Sequence, residues 1–81
     1  MAAISLGSVE QKLAKALLAA GQMNLQKTHN ELALELGSAR EVVSRHLKRF
    51  ESYGWLTLSR GAILNIDFKA LQDIIHSAES H

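Results

Sequence analysis

Residues 37–50 read Gly-Ser-Ala-Arg-Glu-Val-Val-Ser-Arg-His-Leu-Lys-Arg-Phe, and this stretch decides how the chain folds. A helix that begins near Ala39 turns ~100° per residue and therefore separates these side chains into two faces. The apolar face carries Val43, Leu47 and Phe50. The opposite face, which we call the polar rail, carries Arg40, Glu41, Ser44, Arg45 and Lys48. At ~1.5 Å of rise per residue, the first and last Cα atoms of the rail lie roughly 12 Å apart.

Positive charge is concentrated in the part of the chain that carries the polar rail. The whole chain has a net charge of only +1. Residues 38–60 hold five cations against two carboxylates, which gives +3, whereas residues 1–37 sum to zero and residues 61–81 to −2. A DNA major groove is ~12 Å wide, and in it Arg donates to guanine while a carboxylate accepts from cytosine. The rail and its charge therefore predict a helix that reads duplex DNA.

Composition limits the class of protein to which the chain can belong. With 81 residues, 47% apolar content and no linker, we expect one domain over residues 1–81 with a mainly aliphatic core. The chain has no Cys, which excludes disulfides, thiolate-bound zinc, iron–sulfur clusters and thiol nucleophiles. The longest apolar run is far short of the ~20 residues that span a bilayer, and no secretory signal is recognisable. We expect a cytoplasmic protein that does not bind membranes.

The first predicted helix begins at Ser8, near the N-terminus of the chain. Ser8 and Gln11 have the spacing of a capping box, in which each side chain satisfies a backbone N–H at the helix start. The apolar positions that follow at helical spacing are Val9, Leu13, Ala16, Leu17 and Ala20. Gly21 is expected to end this helix in the left-handed conformation. In the connector that follows, Leu25 is a candidate for an isolated strand.

A second, short helix is predicted immediately before the rail. Thr28 and Glu31 repeat the capping-box spacing, so this helix is expected to begin near His29 and to end at Gly37. A small residue at Ala33 allows a close approach to the helix that follows, and Gly37 can adopt the positive φ of a tight turn. The pattern therefore predicts two helices packed across a turn.

The third helix, predicted to run from Ala39 to about Tyr53, carries the rail. Ser38 and Glu41 have the spacing of another capping box. This role of Glu41 competes with base reading, because a carboxylate bonded to the helix start is less free to reach cytosine. The sequence leaves both roles of Glu41 open.

A β-hairpin and a last helix are predicted after the third helix. Residues 55–59 and 62–66 are two short apolar runs that flank Arg60-Gly61, which is typical of a hairpin with a Gly-containing turn. Asp67 can cap a final helix. The apolar stripe of that helix is Phe68, Leu71, Ile74 and Ile75.

This order of elements defines the expected fold class. Helix, helix, turn, helix, hairpin and helix together predict a mainly α fold with a small β-hairpin, the winged helix-turn-helix. The helix-turn-helix is expected at about residues 28–53 and the wing at about residues 55–66.

The same segments resemble a known family of regulators. The residues that carry the resemblance are Thr28-His29-Asn30-Glu31-Leu32-Ala33, Leu36-Gly37, the run from Arg40 to Phe50, Gly54, Leu58-Ser59-Arg60-Gly61 and Ile66-Asp67. They are similar to the DNA-binding domain of the Crp/Fnr (catabolite-activator) family of bacterial transcription regulators. The resemblance covers about residues 8–75 and is specific, because the Arg-Glu-x-x-Ser-Arg core occurs in register with the preceding helix and the wing.

The resemblance implies which residues contact DNA. Base edges would be read by Arg40, Glu41, Ser44 and Arg45. Phosphates would be held by Thr28 and Asn30 at the start of the second helix and by Arg60 on the wing, and charge alone adds Lys48. Two positions depart from the family pattern, since Ala39 replaces a frequent hydroxyl residue and Val42 a frequent Thr. Both departures remove phosphate contacts and thereby lower the expected affinity.

The resemblance also implies a larger protein and a set of partners. Family members carry an N-terminal β-barrel sensor and a long dimerisation helix, neither of which these residues can form. We therefore expect the chain to be part of a larger regulator, with a freestanding small protein as the alternative. The implied partners are double-stranded DNA, a second copy of the parent protein and, as a candidate, RNA polymerase. No cofactor is expected.

Several other interpretations of these residues compete with DNA binding. A winged-helix module that binds only protein is the alternative function, and it would be expected to replace the polar rail with an apolar patch. The rail could also be only a solvated face. The histidines lack metal-site spacing, and Glu31 and Glu35 share a helical face but are expected to be solvated rather than catalytic. We therefore expect no enzyme activity.

Overall fold

The structure, a computed structural model, describes residues 9–79, and over this range the elements follow the predicted order. The helices are α1 (Val9–Ala20), α2 (His29–Leu36), α3 (Arg40–Ser52) and α4 (Phe68–Glu79). The strands are β1 (Thr57–Ser59) and β2 (Ala62–Leu64). The predicted winged helix-turn-helix is thereby confirmed, while the predicted Ser8–Gln11 capping box lies outside the described residues. No described helix is long and apolar enough to cross a membrane.

The core is mainly aliphatic and lies where α1 packs against α4 and α3. Its fully buried residues from α1 and α4 are Leu13, Ala14, Leu17 and Leu71. The residues that α3 contributes are Val43, Leu47 and Phe50, which confirms the predicted apolar face. Burying one Leu or Phe side chain stabilises a fold by about 1.5–3 kcal/mol. Burial of this face therefore fixes the rotation of α3 about its axis, and the polar rail must face solvent.

Two of the predicted side-chain caps are present. The Thr28 hydroxyl accepts from the Glu31 N–H at 3.1 Å, and the Glu31 carboxylate accepts from the Thr28 N–H at 2.8 Å. This capping box starts α2 where it was predicted. At the start of α4, the Asp67 carboxylate accepts from the Ala70 N–H at 3.1 Å. Each cap satisfies a backbone donor that a helix start otherwise leaves without a partner.

The predicted capping box between Ser38 and Glu41 is wrong, because α3 begins one residue later than the box requires. Gly37 adopts the left-handed conformation with φ 68°, and the Ser38 N–H donates to the Ala33 carbonyl at 3.0 Å. These contacts form a Schellman motif that ends α2, and they make Ser38 part of that motif. The N-cap of α3 is consequently Ala39, which has no side chain able to cap. The Ser38 N–H, from which the Glu41 carboxylate would accept in such a box, donates to Ala33 instead.

The hairpin is held to the rest of the domain along both of its edges. Its register pairs Thr57 with Leu64, Leu58 with Ile63 and Ser59 with Ala62. On the β2 edge, Leu25 exchanges two backbone hydrogen bonds with Ile63, at 2.7 and 2.8 Å, which confirms the predicted isolated strand. On the β1 edge, the Glu51 carboxylate accepts from the Leu58 N–H at 2.8 Å. The wing is therefore fixed relative to α3.

Candidate nucleic-acid interface

All five residues of the polar rail line one open concavity on the surface of α3. The cavity has a volume of about 530 Å³. Its lining residues are His29, Arg40, Glu41, Ser44, Arg45 and Lys48. The first of these belongs to α2, and the other five are the rail. We call this concavity the rail groove.

The cations of the rail groove are not neutralised by neighbouring side chains. Arg40, Arg45 and Lys48 are exposed, and in the described part of the chain none of them forms a hydrogen bond or an ion pair. Glu41 is likewise exposed and has no hydrogen-bond partner among the residues described. Unpaired cations on one concave face attract an anion, because no internal carboxylate competes for them. The groove therefore presents to the solvent three cationic side chains that can donate hydrogen bonds and one carboxylate that can accept them.

Ser44 differs from the other rail residues because its hydroxyl already has a partner. The Ser44 Oγ atom lies 2.7 Å from Nδ1 of His29, and both residues are half-buried. Burial, followed by the charges of Arg40 and Lys48, lowers the pKa of the His29 imidazole below its ordinary value of 6.5. Near neutral pH the imidazole is therefore uncharged, and it can donate or accept at Nδ1 according to its tautomer.

The sequence patterns do not predict His29 as a residue of the site. The capping box at Thr28 places His29 in the first turn of α2, which is a signal that its side chain lies near the exposed end of that helix. Its partner Ser44 is 15 residues away on another helix, so their contact depends on how α2 crosses α3. No spacing rule within one helix could have paired them.

The predicted phosphate contacts of α2 lie outside the lining of the rail groove. Thr28 and Asn30 are exposed at the first turn of α2. The Thr28 hydroxyl uses an oxygen lone pair in the capping box, so its own proton remains available to donate. The positive end of the helix dipole lies at the same turn and favours an anion there.

Arg60 lies at the turn of the hairpin and is exposed. Within the described residues its guanidinium has no protein partner. Because Glu51 and Leu25 hold the two edges of the wing, the position of Arg60 relative to α3 is set by the fold. Like His29, Glu51 is not singled out by the sequence patterns. Its partner is the backbone N–H of Leu58, a group that every residue except Pro has, so the contact leaves no mark in the sequence.

The acidic residues considered as a catalytic pair have other partners. The Glu31 carboxylate belongs to the α2 capping box, and Glu35 forms an ion pair with Lys27. Among the residues that the structure describes, no group of three His, Asp or Glu side chains is arranged to hold a metal ion.

The element order, the α2–α3 turn, the clamped hairpin and the exposed rail together define a winged helix-turn-helix domain. A family model described as the Crp-like helix-turn-helix domain matches residues 11–74. The chain therefore belongs to the Crp-like helix-turn-helix family.

Individual relatives are regulators of the same kind. The transcriptional regulator SdrP of Thermus thermophilus is 34% identical over 57 residues, which cover 70% of this chain and 28% of that protein. A Crp/Fnr-family regulator of Eubacterium rectale superposes with a TM-score of 0.80 at 36% identity, over 91% of this chain and 36% of that one. The catabolite activator protein of Thermus thermophilus superposes with a TM-score of 0.77 at 29% identity, over 93% and 37%. The chain thus spans about a third of the length of these relatives.

Proposed function

We propose that this chain binds double-stranded DNA sequence-specifically and is the output domain of a bacterial transcription regulator. The observation that supports this proposal most directly is the rail groove, where three cations without protein partners share one concave face with a free carboxylate. A helix of this kind fits the major groove with its polar face toward the base edges. On this proposal residues 1–81 form one domain, with the helix-turn-helix at 28–53 and the wing at 55–66.

The rail residues divide by the chemistry that each can offer to a base. Arg45 and Arg40 donate to guanine, and Arg40 also reaches a flanking phosphate. Glu41 accepts from cytosine; the absence of the Ser38 cap supports this role, because its carboxylate is not engaged at the helix start. Ser44 contacts a base through its hydroxyl. These assignments follow the donor and acceptor pattern of the major groove.

Contacts to phosphate orient the domain on the duplex. Lys48 at the edge of the rail groove, Thr28 and Asn30 at the α2 start, and Arg60 on the wing are the proposed phosphate contacts. All four are exposed; Lys48 lies on α3, Thr28 and Asn30 lie at the start of α2, and Arg60 lies at the turn of the hairpin. Such contacts fix register and supply salt-dependent affinity without reading sequence.

The proposed assembly is a symmetric dimer of the parent protein. Two copies of this domain would read a roughly palindromic site with half-sites about one helical turn, ~10 bp, apart. RNA polymerase is the proposed protein partner of that assembly at a promoter.

Removal of Arg45 tests the proposal. Arg45→Ala is expected to cost about 1–3 kcal/mol on the preferred site, chosen from a random duplex pool, and to relax the choice of base at one position. Fluorescence anisotropy with the 81-residue chain at low salt measures both effects. Arg49→Ala is the matched control, because Arg49 is an exposed Arg of the same helix that does not line the rail groove.

Two results would contradict the proposal. Equal weakening of Arg45→Ala on all duplexes would make Arg45 a phosphate contact rather than a reader. Absence of any salt-sensitive binding to duplex DNA by the wild-type chain would favour the protein-only module instead.

A further inference from the structure

The contact between His29 and Ser44 bears on how the proposed recognition helix selects a base. Ser44 is the one rail residue whose polar atom is bonded inside the described protein, at 2.7 Å from His29 Nδ1. Both groups line the rail groove, so the bond lies on the surface that the proposed function presents to DNA. A hydroxyl has one proton and two lone pairs, and the partner of that proton decides what remains for a base.

We propose that His29 is a specificity-determining positioning residue: its Nδ1 accepts a hydrogen bond from the Ser44 hydroxyl, which leaves Ser44 as a hydrogen-bond acceptor toward DNA. The inference rests on the proposed function and extends it to a residue of α2. The 2.7 Å separation places the Ser44 hydroxyl within hydrogen-bond distance of Nδ1, and a hydroxyl can donate to a ring nitrogen that carries no proton. Within the described chain, Ser44 has no second acceptor for its proton.

The charges around His29 favour the same arrangement. Two cations of α3, Arg40 and Lys48, act on the imidazole, and on its own helix the nearby Glu31 carboxylate is engaged in the cap. Burial and these two cations oppose protonation of His29, so the ring stays neutral. In the Nε2–H tautomer, which the inference requires, Nδ1 keeps its lone pair. Because the Ser44 hydroxyl donates its hydrogen bond to His29, only the lone pairs of its oxygen remain for a partner in the groove.

This arrangement predicts a particular class of base edge. An acceptor in the major groove pairs with an amino donor, which is N4–H₂ of cytosine or N6–H₂ of adenine. Protonation of His29 would reverse the bond, because an imidazolium donates at both nitrogens. The freed Ser44 proton would then favour an acceptor edge, such as O6 of guanine or O4 of thymine. The preference at one base pair is therefore expected to depend on the charge of His29.

The Ser44→Ala variant identifies the base pair at which the preference for one base is lost. The test compares two duplexes that differ only at that base pair. The ratio of their dissociation constants is measured with the 81-residue chain by fluorescence anisotropy from about pH 8 to about pH 5. General electrostatic gains on acidification affect both duplexes and cancel in this ratio. For the wild-type chain, we expect a roughly three- to tenfold preference for the amino-donor edge at the upper pH, the size of one hydrogen bond, and a loss of that preference on acidification.

Variants separate positioning by His29 from a merely structural role. His29→Ala and Ser44→Ala are each expected to abolish the preference, and the double variant to lose no more than either alone. His29→Asn keeps a polar atom at the δ position but cannot titrate, so its ratio is expected to be independent of pH. His46→Gln is the matched control, because His46, on α3, likewise has a lowered pKa but lies outside the rail groove; this variant is expected to keep the wild-type dependence of the base preference on pH.

The outcomes distinguish this inference from the proposed function. Sequence-specific binding with an unchanged base preference in His29→Ala would overturn the inference and leave the proposed function standing. A wild-type chain that binds duplexes without any sequence preference would overturn both. Nitrogen-15 NMR of the free chain gives a check that needs no DNA: a neutral ring protonated at Nε2 supports the inference, and one protonated at Nδ1 overturns it.

Discussion

Ala39 starts α3 with an extended backbone, φ −71° and ψ 143°, but makes no side-chain hydrogen bond to the first turn. A hydroxyl in this conformation accepts from the N–H two or three residues ahead. Ala39→Ser is therefore expected to raise the free energy of unfolding by about 1 kcal/mol. Urea denaturation of the 81-residue chain measures this change.

The neighbouring residue provides the control for that substitution. Ser38→Ala is expected to change stability little, because the Ser38 side chain does not cap α3 and its backbone N–H contact to Ala33 is retained. A loss of about 1 kcal/mol in Ser38→Ala, with no gain in Ala39→Ser, would place the cap at residue 38 and contradict the observed start of α3.

Thr28 and Ser38 show what residue patterns can and cannot predict. Both are followed three positions later by Glu, yet only the Thr28 box forms. Thr28 follows a connector with no helix directly before it, so its backbone is free to take the N-cap conformation. Ser38 directly follows a helix, and the Schellman motif that ends α2 fixes its backbone first. A local motif is therefore reliable only where no neighbouring motif needs the same residue.

At the scale of elements, Glu51 connects α3 to the wing. Its carboxylate accepts from the Leu58 N–H, a donor on the edge of β1 that does not face β2. Glu51→Ala is expected to destabilise the fold by about 1 kcal/mol and to speed exchange of the Leu58 amide proton. Hydrogen-exchange NMR measures the second effect at that single amide.

Glu51→Gln is the matched variant, since its amide oxygen can still accept from Leu58. Glu51→Gln is expected to keep most of the protection of the Leu58 amide from exchange. If this amide is equally protected in the wild type and in both variants, Glu51 does not hold the wing. On the proposed function, Glu51→Ala also weakens DNA binding through Arg60, because the wing would no longer be held at a fixed distance from α3. Arg60→Ala alone is the comparison for that loss.

At the scale of the whole molecule, the order of elements follows from the sequence but the contacts between them do not. Hydrophobic spacing places Val43, Leu47 and Phe50 on one face of α3, and their burial then determines where the rail points. The pairing of His29 with Ser44 depends on the crossing of two helices, and that of Glu51 with Leu58 on the path of the hairpin. These contacts leave no periodic signal, because each joins residues on different elements.

The response of the whole fold to acid is expected to depend on His46, a half-buried residue of α3. Its Nδ1 atom is buried and has no hydrogen-bond partner in the described part of the chain. Burial, and then the charge of Arg49, lower the pKa of His46; Glu10 of α1 opposes them, and Arg45 adds to the lowering. The pKa of His46 in the folded state is therefore below its ordinary value of 6.5, which it regains on unfolding.

A lowered pKa means that the unfolded chain binds the proton more tightly than the folded chain does. The contribution of neutral His46 is thus fully present above pH 6.5 and is lost as the pH falls from there through the folded-state pKa. His46→Gln is expected to reduce the fall in unfolding free energy between about pH 8 and about pH 5, measured by urea denaturation. Some fall should remain, because the pKa of His29 is lowered in the same direction. Identical pH slopes for the wild type and His46→Gln would show that the loss of stability in acid does not arise from His46.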